Sequence, residues 1–390
     1  MTAGVYLHIP FCKSRCSYCD FATDVYRDSG AVERYVDALC REMRSEPPAL
    51  VGGQFIDASA GSANCPASDT VGSEIDTIYF GGGTPSLLEP AQIEKIINSV
   101  FSVFFAANEA EITMEMNPAT VTPEKLAAFR KLGINRASFG VQTFNDRDLK
   151  LLARGHDAKD VKQTYRMLRE ACFDNISFDL IAGLPGQTME DWKRNLDEAI
   201  SMEPEHLSLY LLEIHESTPL AEQVRSGRRT PIDEELAAEM YETMLDRLAV
   251  AGYEQYEISN FAKPGFESRH NTKYWTMQPV YGFGVSAHSF DGYERYANER
   301  DTARYVEMIE TTGSAETYRE QIDIASETAF LGLRMNRGID IIEYKRKFGV
   351  DLTEKTASLA EKGLIQQFSG RSRLTRKGIL YSNEVFAEFV

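Results

Sequence analysis

Six short apolar runs, each followed by a helical pattern, constrain this chain more than anything else in it. The runs are Val5–Ile9, Ile75–Phe80, Ile112–Met116, Arg136–Val141, Ile176–Ile181 and Leu207–Leu212. Strands covered by helices on both faces read as nearly continuous apolar stretches, and strict alternation of strand with helix points to a parallel sheet. The helices are marked by their own period. Val32, Tyr35, Val36, Leu39, Cys40 and Met43 fall on one face, as do Ile93, Ile96, Ile97, Val100 and Phe101. A third helix is framed by Thr122 as N-cap, Pro123 at its first position and Gly133 after its end. Six βα units are too few to close an eightfold barrel. The expected fold is therefore α/β, an open six-stranded parallel (βα)6 partial TIM barrel over residues 1–230. Function is expected where its strands hand over to loops.

With 390 residues the chain has room for more than this barrel. Residues 47–73 are rich in Gly, Ala, Ser and Pro without period, and read as a surface insertion. Residues 231–325 form an extension, and from about Ser326 short helices and a hairpin near Leu364–Leu374 predict a small winged-helix-like α+β domain, 326–390. No run of roughly eighteen apolar residues predicts a membrane span. The first residues lack the pattern of a secretory leader, so the expected compartment is the cytoplasm. A net charge of −17 repels phosphate backbones, which argues against nucleic acid as a partner. Arg371, Arg373, Arg376 and Lys377 are the one candidate basic wing, with a solvated charged face as the plainer reading.

Half of the six cysteines lie within eight residues. Cys12, Cys16 and Cys19 follow the first strand with C-x3-C-x2-C spacing, and three thiolates so close can hold one metal centre. Soft sulfur ligands select an iron–sulfur cluster or zinc. Structural zinc normally takes four protein ligands, and no fourth Cys or His follows nearby, although His8 precedes the set. The missing ligand favours a cluster whose fourth iron is open. Cys40 belongs to an apolar helix face, Cys65 to the insertion, and Cys172 to a helix end, where a small buried hydrophobe is expected.

Gly81-Gly82-Gly83-Thr84-Pro85 follows the second strand. Glycines there let backbone amides approach a ligand without Cβ interference, although a plain tight turn is the simpler reading. Glu115, Gln142 and Asp179 end successive strands, and Arg154 follows in the next helical segment. Alone each is an ordinary loop or cap group; together they can hydrogen-bond a nucleoside-bearing ligand. His270-Asn271-Thr272-Lys273-Tyr274-Trp275 sets an imidazole beside two large aromatics. The residues alone leave open whether His270 is simply hydrogen-bonded or is an axial ligand to a metal macrocycle.

Tyr6-Leu7-His8-Ile9-Pro10-Phe11-Cys12, the cysteine triplet and the Gly81–Pro85 turn together resemble the radical-SAM superfamily. Within it the chain is similar to oxygen-independent coproporphyrinogen III oxidase and the related HemW heme chaperones. The likeness continues through Glu115–Pro118, Gly140–Phe144, Gly155-His156 and Asp179–Pro185, and covers nearly the whole chain outside residues 47–73. It implies a [4Fe–4S] cluster on the three cysteines whose open iron chelates S-adenosyl-L-methionine, and an electron donor able to drive cleavage of that cofactor. It also implies that Tyr6 and Tyr18 flank the cluster and that Gly82, Gly83 and Thr84 line the cofactor's polar end. Glu115, Gln142, Arg154 and Asp179 would be its other contacts. Two features separate the branches. The oxidase pattern continues after the third cysteine with x-Cys, where this chain has Asp20-Phe21, and the oxidase carries a long extension before the cluster. Conversely, His270-Asn271-x-x-Tyr274-Trp275 resembles the H-N-x-x-Y-W motif tied to heme binding in the chaperones, with His270 as heme ligand. The expected function is thus a heme chaperone serving acceptor proteins in solution or at a membrane; the alternative is radical oxidative decarboxylation of coproporphyrinogen III.

Overall fold

The computed structural model describes residues 2–26, 28–45 and 74–390; the expected insertion at 47–73, with Cys65, lies outside them. Each of the six apolar runs is a strand: β1 Ala3–Ile9, β2 Glu74–Gly82, β3 Phe105–Met116, β4 Arg136–Gln142, β5 Ile176–Ala182 and β6 His206–Leu211. They pair in chain order and all are parallel. The strand β3 starts seven residues before its apolar run, because Phe105–Glu109 is largely exposed and carries no burial signal.

The sheet is wider than the six strands. Val280–Phe283, here β7, joins the free edge of β1 in parallel, a strand too short and too uniformly buried to show a period. Beyond it run the antiparallel strands His288–Phe290, Glu294–Asn298 and Glu316–Gln321. At the other edge Asn260–Ala262 pairs antiparallel with β6, followed by Glu254–Gln255.

Successive strand residues face opposite sides. Val5, Leu7 and Ile9 of β1, Ile78 and Phe80 of β2, and Phe178 and Leu180 of β5 pack outward into the main apolar core. Helix Ser29–Ser45 meets them with the expected face, Val32 to Met43. Thr122 caps Pro123–Lys131 by accepting from the Lys125 amide at 3.3 Å. The inward positions are of another kind: Tyr6 and His8, Thr77 and Tyr79, Thr113 and Glu115, Arg136 and Ser138, Ser177 and Asp179, His206, Ser208 and Tyr210. The barrel has a polar lumen inside an apolar shell.

The C-terminal part surrounds a three-stranded antiparallel sheet, Ile339–Asp340, Arg371–Leu374 and Ile365–Phe368, with helices including Ile324–Arg334 and Ser382–Ala387. It has its own apolar cluster around Leu333, Leu359, Leu374 and Val385. The four wing cations have partners within the chain. Arg371 donates to the Arg337 and Gly338 carbonyls, Arg373 lies over the Phe368 ring, Arg376 pairs with Asp246 at 2.8 Å, and Lys377 donates to the Lys362 carbonyl. Among the described residues no helix is long and apolar enough to cross a membrane.

Candidate cofactor site

The cysteine loop leaves β1 at the C-terminal mouth of the barrel and is tied down at both ends. Phe11-Cys12 pairs with Asp24-Val25, so the chain returns beside its own exit. Ser17 binds the Leu151 and Leu152 carbonyls and accepts from the Leu220 amide. His8 reaches from the lumen to clamp the far end: its Nε2 lies 2.9 Å from the Ala22 carbonyl, and its Nδ1 lies 3.2 Å from the Tyr6 hydroxyl. Nε2 therefore carries the proton, and burial holds this imidazole neutral, its pKa pulled down to about 4.

Cys12, Cys16 and Cys19 are reduced and half-buried. Burial pushes the Cys12 thiol up to about 11 and raises Cys19, so without a metal both stay protonated. Polar groups already aim at the sulfurs: the Thr84 hydroxyl stands 3.6 Å from Cys12 Sγ and Arg154 Nη1 3.5 Å from Cys16 Sγ. Among the described residues no group of three His, Cys, Asp or Glu side chains is placed to hold a metal ion as they stand. A polynuclear cluster suits three thiols with cationic and hydroxyl donors around them, since its sulfur ligands gain from such hydrogen bonds. Cys40 is buried as expected; Cys172 is exposed, lying just past the C-cap of the helix Ala158–Glu170 with φ of 60°.

Arg154 organises the rim. Besides Cys16 it donates to the Tyr18 hydroxyl at 3.4 Å, to the Gly140 carbonyl at 2.8 Å and to Asn117 Oδ1. Asn117 in turn donates to Thr84 Oγ1 at 2.8 Å. Gln142 closes β4 with φ of 66°, a left-handed conformation that a non-glycine residue holds only where its surroundings insist. Glu115 accepts from the Tyr79 hydroxyl at 2.9 Å and the Gly82 amide at 3.0 Å. Burial, then the nearby Asp179 charge, lifts its pKa to about 7; burial likewise lifts Asp179 to about 6. The structure thus gathers Tyr6, Tyr18, Thr84, Glu115, Gln142, Arg154 and Asp179 around one mouth, beside the three cysteines.

The glycine turn has a further reason besides the one its sequence offers. A Cβ on Gly83 would come within 2.7–2.8 Å of the Pro10 and Phe11 backbone, and one on Gly82 within 2.7 Å of the His8 ring. These glycines make room for the cysteine loop and its clamp. Substituting Gly83 would displace the loop itself rather than merely obstruct a ligand.

His270 lies at the opposite, N-terminal end of the lumen, in helix Arg269–Trp275. Ser268 caps this helix, and Glu111 from β3 accepts the Arg269 and His270 amides, both at 3.1 Å. The imidazole is 1% exposed. Its Nδ1 stands 2.8 Å from the Thr77 hydroxyl, its Nε2 3.1 Å from the Tyr274 hydroxyl, and it stacks on Tyr79 at 5.0 Å. Burial, with Lys273 and Arg136 nearby, lowers its pKa to about 3, so it is neutral. Tyr274 keeps 37% of its surface accessible and lies within the electrostatic reach of Glu115. Helix Arg269–Trp275 therefore floors the chamber whose mouth carries the cysteines.

Residues 69–199 match the Radical SAM superfamily and residues 320–381 the HemN C-terminal domain. The heme chaperone HemW of Bacillus subtilis is 36% identical over 397 residues, spanning 99% of this chain and 99% of that protein. The chain belongs to the HemW family. HemW of Synechocystis is 34% identical over 92% of this chain and 84% of its own, and HemW of Mycobacterium tuberculosis 31% identical over 98% and 93%. The coproporphyrinogen III oxidase HemN of Escherichia coli, a radical-SAM enzyme, has a TM-score of 0.83 covering 100% of this chain and 90% of its own. At 23% identity that likeness shows the fold. The radical-SAM family implies a [4Fe–4S] cluster with S-adenosylmethionine. Lumen groups not singled out from the sequence are Thr113, Arg136 and Tyr210, while His8 is noted there only as preceding the cysteines. A signal was present: polar residues at every second position of strands whose other face is apolar.

Proposed function

We propose that this chain is a heme chaperone. It holds a [4Fe–4S] cluster on Cys12, Cys16 and Cys19, takes S-adenosyl-L-methionine among Tyr6, Tyr18, Gly82, Gly83, Thr84, Glu115, Gln142, Arg154 and Asp179, and passes heme to acceptor proteins. The observation that carries this reading is the similarity, over 99% of both chains, to a protein named for that role. Its other partners would be an electron donor and no nucleic acid, and its compartment the cytoplasm. The division at 230 and 325 is part of the same proposal.

His270 is retained as the heme ligand on a stated geometric condition. Both ring nitrogens are engaged and the ring is enclosed. Ligation through Nε2 requires that nitrogen to leave Tyr274 and the helix Arg269–Trp275 to swing from the floor of the barrel.

The test is anaerobic incubation of the reconstituted protein with coproporphyrinogen III, S-adenosylmethionine and a reductant. The chaperone reading expects no protoporphyrinogen from a protein that shows iron–sulfur absorbance, with Cys16→Ala lacking that absorbance. Turnover of the porphyrinogen would promote the oxidase in its place.

A further inference from the structure

The lumen contains a buried guanidinium with no ion pair among the described residues. Arg136 opens β4 and turns inward, 1% exposed, and its Nε and Nη1 have no hydrogen-bond partner among the described residues. A guanidinium removed from water is expensive unless opposite charge answers it. Two carboxylates do so from nearer the mouth, Glu115 one inward step up and Asp179 two. Thr113 is the register partner of Arg136, and Glu115 is the next inward residue on β3. Ser138, the next inward residue on β4, lies beside Asp179 on β5, its hydroxyl 3.5 Å from Oδ1. Arg136 thus sits beneath both and bonds to neither. Its attraction acts through space and favours the ionised form of each.

That separation matters chemically. A directly paired arginine would occupy carboxylate oxygens, whereas this one supports the charge and leaves lone pairs free above. We propose that Arg136 is a positioning residue for the cofactor: it holds Glu115 and Asp179 as two open negative charges facing the cationic groups of S-adenosylmethionine. The inference rests on the reading that this cofactor binds at the mouth.

Other groups face the same pair. Tyr6, Tyr79 and Tyr274 surround Glu115, together with the Gly82 amide. Arg154, Ser138, Ser208 and Tyr210 surround Asp179. Arg154 already donates to Asn117, Gly140, Tyr18 and Cys16. Arg136 is the cation that acts on both carboxylates.

The experiment is equilibrium binding of S-adenosylmethionine to the anaerobically purified, cluster-bearing protein from pH 6 to pH 9. Wild type, Arg136→Met, Arg136→Gln and Arg136→Lys are compared, with iron–sulfur absorbance confirming that each is loaded. Wild-type affinity should climb as pH passes through about 6 and 7, where the two carboxylates ionise. In Arg136→Met the climb should move upward by about a unit, leaving affinity near pH 7.5 down by about fourfold and nearly recovered at high pH. Arg136→Lys should follow the wild type, and Arg136→Gln gives the neutral readout if the methionine variant does not fold. A loss equal at every pH, a neutral-variant profile superimposed on wild type, or a lysine variant that behaves like methionine would overturn the proposal. A wild type that binds no S-adenosylmethionine at all would instead remove the reading beneath it.

Discussion

At the scale of single residues, the site combines groups whose ordinary chemistry has been displaced by burial. Glu115 is the clearest case, its pKa about 7 against an ordinary 4.5. The folded chain therefore holds this proton more tightly than the unfolded chain does. The resulting stabilisation is complete below about pH 4.5 and is lost as pH rises through 7. Glu115→Gln cannot ionise, so its stability relative to wild type should improve between pH 4.5 and 7, by on the order of 3 kcal/mol. Thermal melts of both proteins across that range would show it, and a difference independent of pH would contradict it. His270 offers a second prediction. If heme takes Nε2, Tyr274→Phe removes the competing hydroxyl and should tighten heme binding by about fivefold, the value of one ordinary hydrogen bond. His270→Ala should lose the low-spin heme spectrum with the iron–sulfur absorbance intact. Heme binding unchanged in both variants would remove His270 from the heme site. The three cysteines stand out in the sequence by their close spacing, and the structure sets them on one loop at the barrel mouth. The isolation of His270 was not legible there, because a motif written along one helix says nothing about what packs over it.

At the scale of elements, the strands and helices of the barrel follow from periodicity, since each strand buries an apolar outer face against helices. What escaped were elements too short or too exposed to carry a period: β7, the first half of β3, and the antiparallel strands at both sheet edges. The floor helix Arg269–Trp275 also escaped. At seven residues it is too short to stand alone, and its stability comes from its caps and from tertiary contacts. The Ser268 hydroxyl accepts from the Asn271 amide at 3.2 Å, and Glu111 covers the two preceding amides. Ser268→Ala should therefore cost about 1 kcal/mol, read as a lowered denaturation midpoint. Under the opening condition stated for His270, it should also speed heme uptake. A slower or unchanged uptake would separate this helix from heme access.

At the scale of the whole molecule, an apolar shell holds a polar lumen, open at the cysteine mouth and floored by the aromatic motif. The outer shell was foreseeable from composition and alternation; the lumen was visible only as polar residues at alternate strand positions, which looked incidental one at a time. Residues 49–73 have little apolar surface to contribute to either, being rich in Gly, Ala, Ser and Pro. Deleting them should leave iron–sulfur absorbance and heme binding within about twofold of wild type, because a segment with few large apolar side chains has little to bury in a core. A deletion variant that failed to hold the cluster would give that segment a structural role. The central claim is that this protein carries heme, and optical titration of the anaerobically purified, cluster-bearing protein with hemin tests it most directly. The account predicts saturable binding at one site per chain with the cluster absorbance undisturbed; a linear, non-saturating rise, as in passive partition, would contradict it.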